Sequence, residues 1–367
     1  MIYIITFILS ILFASIGTKE KRNNPFLYYA LLFISIIIPA LVAGYREESI
    51  GTDTSNYLGI FYRAVSCNSF AEMAALSDME VGFQYFVFLC SRISSNPVIF
   101  FFLLQIITLI PIYKSIVESN INISFGLFIY YFLFFNMSLN ISRQAVAISL
   151  ILLSTTYLIN GKYKQVIIYS LIAFLFHNTA IICLLLYTIY FFCQKYDIRK
   201  QAYIYILYLM LFVTFIYAVL FKTNFISIII DQRDVYSNYV ENIGESSIST
   251  SSLLLYIYLS FLNYLPTKIS NNSNSRFFFI SSTMSMVMVY MTVISQPFSR
   301  LGLYFTIVYV ISIPYIFSKH LVRRVFRNSK YKQSYKSIFI LLILYMWYFS
   351  IILRGSHETF PYKTLSF

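Results

Sequence analysis

Residues 136–150 read NMSLNISRQAVAISL, a polar seam between SFGLFIYYFLFF (124–135) and ILLSTTYLI (151–159). Apolar runs of this kind build membrane-spanning helices, which need about 20 such residues. Arg143 and Gln144 lie at the seam. A guanidinium is costly at membrane depth unless it has a partner or a task. The seam therefore belongs at a membrane surface, and the meaning of Arg143 depends on which surface that is.

The rest of the chain has the same character. Of 367 residues, 59% are hydrophobic and 11% charged, and the mean hydropathy is +0.73. A soluble domain carries about a quarter charged residues. The reading is an all-α polytopic membrane protein, one integral membrane domain over 1–367 with no soluble domain. Continuous rather than alternating apolar runs exclude a β-barrel. The four cysteines form no CxxC, which argues against a disulfide framework or a zinc site. No P-loop, GxSxG, HExxH or DxD-type pair is present, so no cofactor and no metal are expected. The opening MIYIITFILSILFASIG has no basic residue ahead of its apolar run and predicts a first spanning helix rather than a signal peptide. The 20% aromatic content fits lipid-facing and interfacial rings.

About twelve spans are expected, at 2–17, 27–44, 97–113, 121–137, 142–159, 165–176, 178–192, 201–221, 251–267, 277–295, 301–318 and 337–353. The run VGFQYFVFLCSRI (81–93) is too short to cross and reads as interfacial or re-entrant, within an external loop at 45–96. A second external loop covers 222–250, and a basic loop covers 319–336. Alternate loops hold 18 of the 27 Lys and Arg residues, which places that side in the cytoplasm and both termini outside. The net charge of +13 is thus a topology signal and implies no nucleic-acid partner. Of the nine outside basic residues seven are arginine: 46, 63, 92, 143, 233, 300 and 354. Arginine offers a planar fork of donors suited to carboxylate or phosphate. An outer face that selects it is suited to an anion, unless these arginines simply pair with the outside acids.

Four seams lie on that face. In YREESIGTDTSNY (45–57), Arg46 and Asp53 are candidates to face a cavity, with Asp53 alternatively the cap of a helix starting near Thr54. In SLNISRQ (138–144), Asn140, Arg143 and Gln144 at a helix start suit a phosphate. The alternative is interfacial snorkelling. In FLFHNTA (174–180), His177 interrupts a 28-residue apolar stretch (165–192), which predicts two short or re-entrant helices meeting near the outer face. An imidazole there is either a satisfied structural group or a general base. In ISQPFSRLGLYF (294–305), Pro297 breaks a helix and Arg300 opens the next, with Tyr304 one turn on. In the short external tail, Arg354 and His357 are weaker candidates.

These stretches, in this order over roughly 40–320, resemble the EpsG-like branch of the Wzy-type polysaccharide polymerases. The resemblance implies a multi-pass protein of the bacterial cytoplasmic (inner) membrane with a GT-C-like fold, active at its periplasmic or outer face. It implies joining of undecaprenyl-pyrophosphate-linked oligosaccharide units, donor onto acceptor, to make O-antigen, capsule or exopolysaccharide. Such glycosyl transfer is metal-independent, and a chain-length regulator and a flippase are the implied partners. On this expectation Arg143 and Arg300 contact the donor pyrophosphate with Arg46 assisting. Tyr57, Asn140, Gln144 and Tyr304 complete the binding surface, and either His177 or Asp53 handles the acceptor hydroxyl. A flippase or exporter of the same glycolipid, or a GT-C-type ligase, would share much of this pattern. Charges clustered on one face favour an enzyme over a passage.

Overall fold

The computed structural model describes residues 1–196, 250–269, 272–292, 297–318 and 329–365. Among them every regular element is helical, and the one extended pairing is an isolated antiparallel bridge between Arg46 and Thr364. The helices are α1 (Ile2–Glu20), α2 (Pro25–Gly44), α3 (Thr54–Ser66), α4 (Phe70–Ala75), α5 (Val81–Ile93) and α6 (Pro97–Glu118). Then follow α7 (Ile123–Asn140), α8 (Ser142–Ile159), α9 (Tyr163–Phe176) and α10 (Asn178–Lys195). Beyond the gap lie α11 (Thr250–Ile269), α12 (Ser273–Met291), α13 (Pro297–Thr306), α14 (Tyr309–Ile316) and α15 (Ser334–Leu353).

Seven of these are long and apolar enough to cross a membrane, or eight if α13 and α14, bent by 41° at a short break, form one span. The expectation of about twelve is met only in part, and the reasons are specific. The expected span 201–221, the loop 222–249 and residues 319–328 of the basic loop lie outside the described residues. Helices α11 and α12 form where spans were expected, but Ser, Thr and Asn residues and Arg276 dilute their apolarity. The 165–192 stretch breaks at His177 as expected: α9 is short, whereas α10 is long enough to span. VGFQYFVFLCSRI is the short helix α5, as its length required.

The chain is organised as two compact units, one of residues 1–183 with 313–367 and one of residues 184–312. In the first, local sequence explains the helix starts. Asn24-Pro25 and Asn96-Pro97 open α2 and α6, each Asn side chain accepting from an amide in the first turn (Leu27 and Val98). The asparagine satisfies a donor that the helix leaves orphaned, and proline at the first position has no amide to lose. Asn122 caps α7 in the same way through the Phe125 amide. Helix α2 packs against α1 and α6, and α6 packs against α8. The most enclosed spans are α7 and α8, with 83% and 89% of their residues buried. The polar seam therefore runs into the middle of the unit. A buried cluster of Ser10, Ser35, Tyr113 and Tyr131 ties α1, α2, α6 and α7 by hydroxyl contacts, including Tyr131 to Ser10 at 2.6 Å and Tyr113 to Tyr131 at 2.9 Å. Such bonds join helices where lipid supplies no hydrophobic drive.

The unit has two chemically distinct ends. At one, Lys162 pairs with Glu118 (2.8 Å) and Lys114 donates to the Tyr169 hydroxyl (3.2 Å), so two of the basic loops meet. At the other lie the 45–54 loop, the seam, the α9–α10 break and the chain's last residues.

In the second unit α11 and α12 pair, with Ser260 and Thr283 hydroxyls 3.1 Å apart. Arg276, expected in a cytoplasmic loop, is instead buried and donates to the Cys193 carbonyl at 2.6 Å and 3.2 Å.

Helix α5 approaches α9 closely at Gly82, where a Cβ would lie 2.7 Å from the Leu175 carbonyl oxygen. Gly82→Ala must push the two helices apart and is expected to lower stability by about 1–3 kcal/mol. Gly59→Ala in α3, where a Cβ meets nothing within 4 Å, is expected to be neutral or to stabilise by up to about 1 kcal/mol. Thermal unfolding of both variants in the same detergent checks the contrast.

Candidate functional site

Three of the four expected stretches converge at one end of the first unit, and two arginines anchor them. Arg46 follows α2 directly. It is 2% exposed, its guanidinium carbon is 4.2 Å from the Phe101 ring centre, and its Nη2 donates to Ser142 Oγ at 3.4 Å. Its Nε is buried and has no hydrogen-bond partner. Burial pushes the Arg46 guanidinium down to about 10, opposed by Tyr3, Tyr57 and Tyr362, so it remains a cation at neutral pH.

The chain's last residues hold Arg46 in place. The Glu47 amide donates to the Lys363 carbonyl (3.0 Å), the Leu365 amide to Tyr45 (3.0 Å), and the Gly51 amide to Glu358 (3.0 Å). Gly51 has a φ of +90° and packs against the Asn140 backbone, a combination that requires glycine. Below this, Trp347 Nε1 donates to Asn136 Oδ1 (2.9 Å) and Asn136 Nδ2 to Thr359 Oγ1 (3.0 Å). Tyr3 completes the chain by donating to the Thr359 carbonyl at 2.7 Å. Runs of π-helix at Tyr131–Phe135 and Tyr348–Leu353 precede Asn136 and the tail. Such wider turns concentrate at functional sites.

Arg143 sits in the first turn of α8, next to Ser142. Its Nη1 donates to Glu80 Oε2 in an ion pair, and its Nε is buried without a partner. Glu80 Oε1 in turn accepts the Asn178 amide at 3.0 Å. One carboxylate thus joins the seam to the α9–α10 break, which is how Arg143 and His177 come to the same place. His177 is extended (φ −159°, ψ 122°) and half-buried. Its Nδ1 accepts from the Thr179 amide (3.2 Å) and lies 2.7 Å from the Thr179 hydroxyl. That ring nitrogen caps the break, as expected of a structural histidine.

Asn140 Oδ1 accepts from Thr52 Oγ1 (2.7 Å) and the Asp53 amide (3.0 Å), so the 51–53 turn is pinned to the seam. Asp53 does occupy the cap position of α3, but its side chain makes no capping bond. Asn140 accepts from the amide of Asp53 itself, and the first-turn amides of α3 receive no bond from the Asp53 side chain. The Asp53 carboxylate is half-buried and has no hydrogen bond or ion pair among the described residues. Gln144 and Tyr57 are buried, Tyr57 with its ring 5.6 Å from Phe83. Arg300, exposed, and Tyr304, fully buried, lie on α13 in the second unit, and residues 293–296 before them are outside the described set.

The other outer arginines divide. Arg92 donates to the Ala64 carbonyl (2.6 Å) and so braces α5 against α3, whereas Arg63 donates to the Gly59 carbonyl (3.2 Å) one turn back in its own helix. Arg354 stacks 4.7 Å from the Phe349 ring centre. Arg233 is outside the described residues. Burial pulls His357 below the ordinary imidazole value, and at neutral pH it adds no positive charge.

Sequence reasoning did not single out Glu80, Asn136, Ser142 or Thr359. Glu80 stands just ahead of a short apolar helix, and its one signal was that an outer carboxylate near an arginine-rich face needs a cation. The pairing of the tail with Tyr45–Gly51 joins residues more than 300 positions apart and had no local signal.

The model of the EpsG family matches residues 29–364 of the chain. No curated protein and no solved structure matches it.

Removing the Glu80 charge leaves Arg143 without its counter-ion and the Asn178 amide with a weaker acceptor. Glu80→Gln is expected to cost about 1.5–3 kcal/mol of stability. Asp53→Asn, at a carboxylate with no partner, is expected to change stability by less than about 0.5 kcal/mol. Thermal unfolding of the purified chains separates the acid that ties the segments together from the one without a partner among the described residues.

Proposed function

The chain belongs to the EpsG family, and on that footing we propose that it polymerises lipid-linked oligosaccharide units at the outer face of the bacterial cytoplasmic membrane. It is a multi-pass membrane protein of polysaccharide biosynthesis. The observation that carries the finer reading is a pair of buried donors: Nε of Arg46 and Nε of Arg143 both lack an acceptor. Buried polar groups are nearly always satisfied. Here two guanidinium edges on the same group of loops require acceptors, and a doubly charged pyrophosphate supplies several. Arg143 has one edge fixed by Glu80, so binding an anion on the other edge costs little further ordering.

In the proposed reaction the acceptor sugar hydroxyl attacks the anomeric carbon of the donor chain. The bond from that carbon to the pyrophosphate oxygen breaks, and its electron pair leaves with undecaprenyl pyrophosphate. Arg46 and Arg143 stabilise the developing charge, a contribution that is largest in a site from which water is excluded. The hydroxyl proton passes to Asp53. Of the two candidates Asp53 is preferred, because the His177 Nδ1 is engaged by Thr179 while the Asp53 carboxylate has no partner. Arg300 and Tyr304, expected as binding residues, lie on α13 in the second unit, and the reading rests on the first unit alone. A GT-C-like architecture with about twelve crossings is part of the same proposal. The concentration of Lys and Arg in the opposite loops supports the outer-face assignment.

A deletion strain restored with wild type or with Arg143→Ala tests this. The reading predicts that surface glycolipid collapses from a ladder to a single repeat unit in the deletion and in well-expressed Arg143→Ala. Loss of one charge-assisted contact in the transition state lowers the rate roughly ten- to hundred-fold. Absence of any surface repeat in the deletion would identify a flippase or ligase instead. An intact ladder with Arg143→Ala would remove Arg143 from the site.

A further inference from the structure

At the opposite, basic end of the first unit lies a cavity of about 410 Å³. It is within the range of small-molecule sites, about 300–1,000 Å³. It is formed where the end of α1, the start of α2 and the turn between α6 and α7 meet. Its lining includes Lys19 and Lys21, the hydroxyls of Thr18 and Ser124, and the amides of Asn120 and Asn122, and it includes no carboxylate. Glu20, between the two lysines in sequence, does not line the cavity, and Glu118, beside the α6–α7 turn, is paired with Lys162. Two ammonium groups therefore face a polar cavity without a counter-ion from its walls.

The arrangement is more than two lysines reaching for water. Lys21 lies 5.7 Å from the ring centre of Tyr28, itself a buried lining residue, which holds the ammonium at the cavity. Asn120 adopts the left-handed conformation (φ +52°) that shapes the turn. A helix C-terminus accounts for Lys19 through the dipole, but it does not account for a cavity lined by hydroxyls and amides. The Thr18 hydroxyl donates to the Ser15 carbonyl (2.9 Å), which leaves the Ser124 hydroxyl and the Asn120 and Asn122 side-chain NH2 groups as donors to an oxyanion, and basic pockets between spanning helices at a membrane surface are suited to phosphorylated head groups.

We infer that this cavity is a second anion site, separate from the Arg46–Arg143 site, that binds the phosphate of an anionic membrane lipid at the basic surface. The same chemistry would also accept free phosphate, and the test distinguishes the two. It does not depend on the proposed reaction.

The full chain, purified in a neutral detergent, is mixed with phosphatidylglycerol or phosphatidylcholine and examined by native mass spectrometry. Thermal unfolding with and without inorganic phosphate is measured in parallel. Wild type and Lys164→Gln, an exposed lysine outside the cavity, are expected to retain phosphatidylglycerol in preference to phosphatidylcholine. Lys19→Gln/Lys21→Gln should retain it roughly tenfold less or lower still. Ser124→Trp keeps both lysines but fills the cavity, and it should lose the lipid too, which covers the case in which the double variant folds poorly. A lysine-dependent stabilisation by inorganic phosphate without lipid preference would assign the site to free phosphate. Equal retention by wild type and both cavity variants, with no lysine-dependent phosphate effect, would overturn the inference.

Discussion

A guanidinium buried to 2% exposure with no carboxylate beside it among the described residues is the constraint around which this end of the first unit is built. Burying a charge without a partner is strongly unfavourable. The fold meets that cost piecemeal, with an aromatic face from Phe101, one long hydrogen bond to Ser142, and three tyrosines whose hydroxyls favour the charged form. None of these neutralises the charge. The tail is then needed to close the loop backbone around it, through three backbone hydrogen bonds, two of which form the Arg46–Thr364 bridge, and the Thr359–Asn136–Trp347 chain. Replacing Arg46 by an apolar residue of similar size would relieve all of this. Its presence therefore points to a role in binding rather than in stability.

Arg143 solves a related problem by another route. Its counter-ion, Glu80, comes from the start of an interfacial helix and also accepts an amide from the α9–α10 break. A single carboxylate thereby fixes three segments distant in sequence: the seam, α5 and the His177 turn. The close approach at Gly82, two residues on, is the packing counterpart of that ion pair. Irregular backbone at membrane depth is tolerated where it is buried in protein or lines a wet cavity. The seam at Ile141, the His177 break and the two π-helical runs are that kind of backbone.

Much of this was legible in the sequence, for identifiable reasons. The break at His177 could be read because a largely apolar stretch of 28 residues is too long for one ordinary span and too short for two full ones. The helix starts at Asn24-Pro25 and Asn96-Pro97 follow local capping rules. Arg143 could be singled out because charge is rare in such a chain. Seven outer arginines looked like one set, but Arg92 braces the Ala64 carbonyl of α3, a role that depends on tertiary distances and not on residue type, and Arg63 bonds a carbonyl of its own helix. Asp53 read as a cap and stands at that position without a capping bond, while its own amide donates to Asn140, 87 residues away. The tail looked peripheral because short terminal segments usually are. Its role arises from pairing with Tyr45–Gly51, which leaves no local pattern.

The most direct measurement is a reconstitution of the purified chain alone in vesicles carrying the undecaprenyl-pyrophosphate-linked repeat unit. Polymer length and free undecaprenyl pyrophosphate are followed together, for wild type, Arg46→Gln and Arg143→Gln. Two buried guanidinium edges that hold the leaving pyrophosphate predict polymer with one carrier released per bond formed, and a loss of both products in each variant while the protein stays folded. Movement of the lipid-linked unit across the bilayer without polymer, or undiminished polymerisation by both folded variants, would contradict the account.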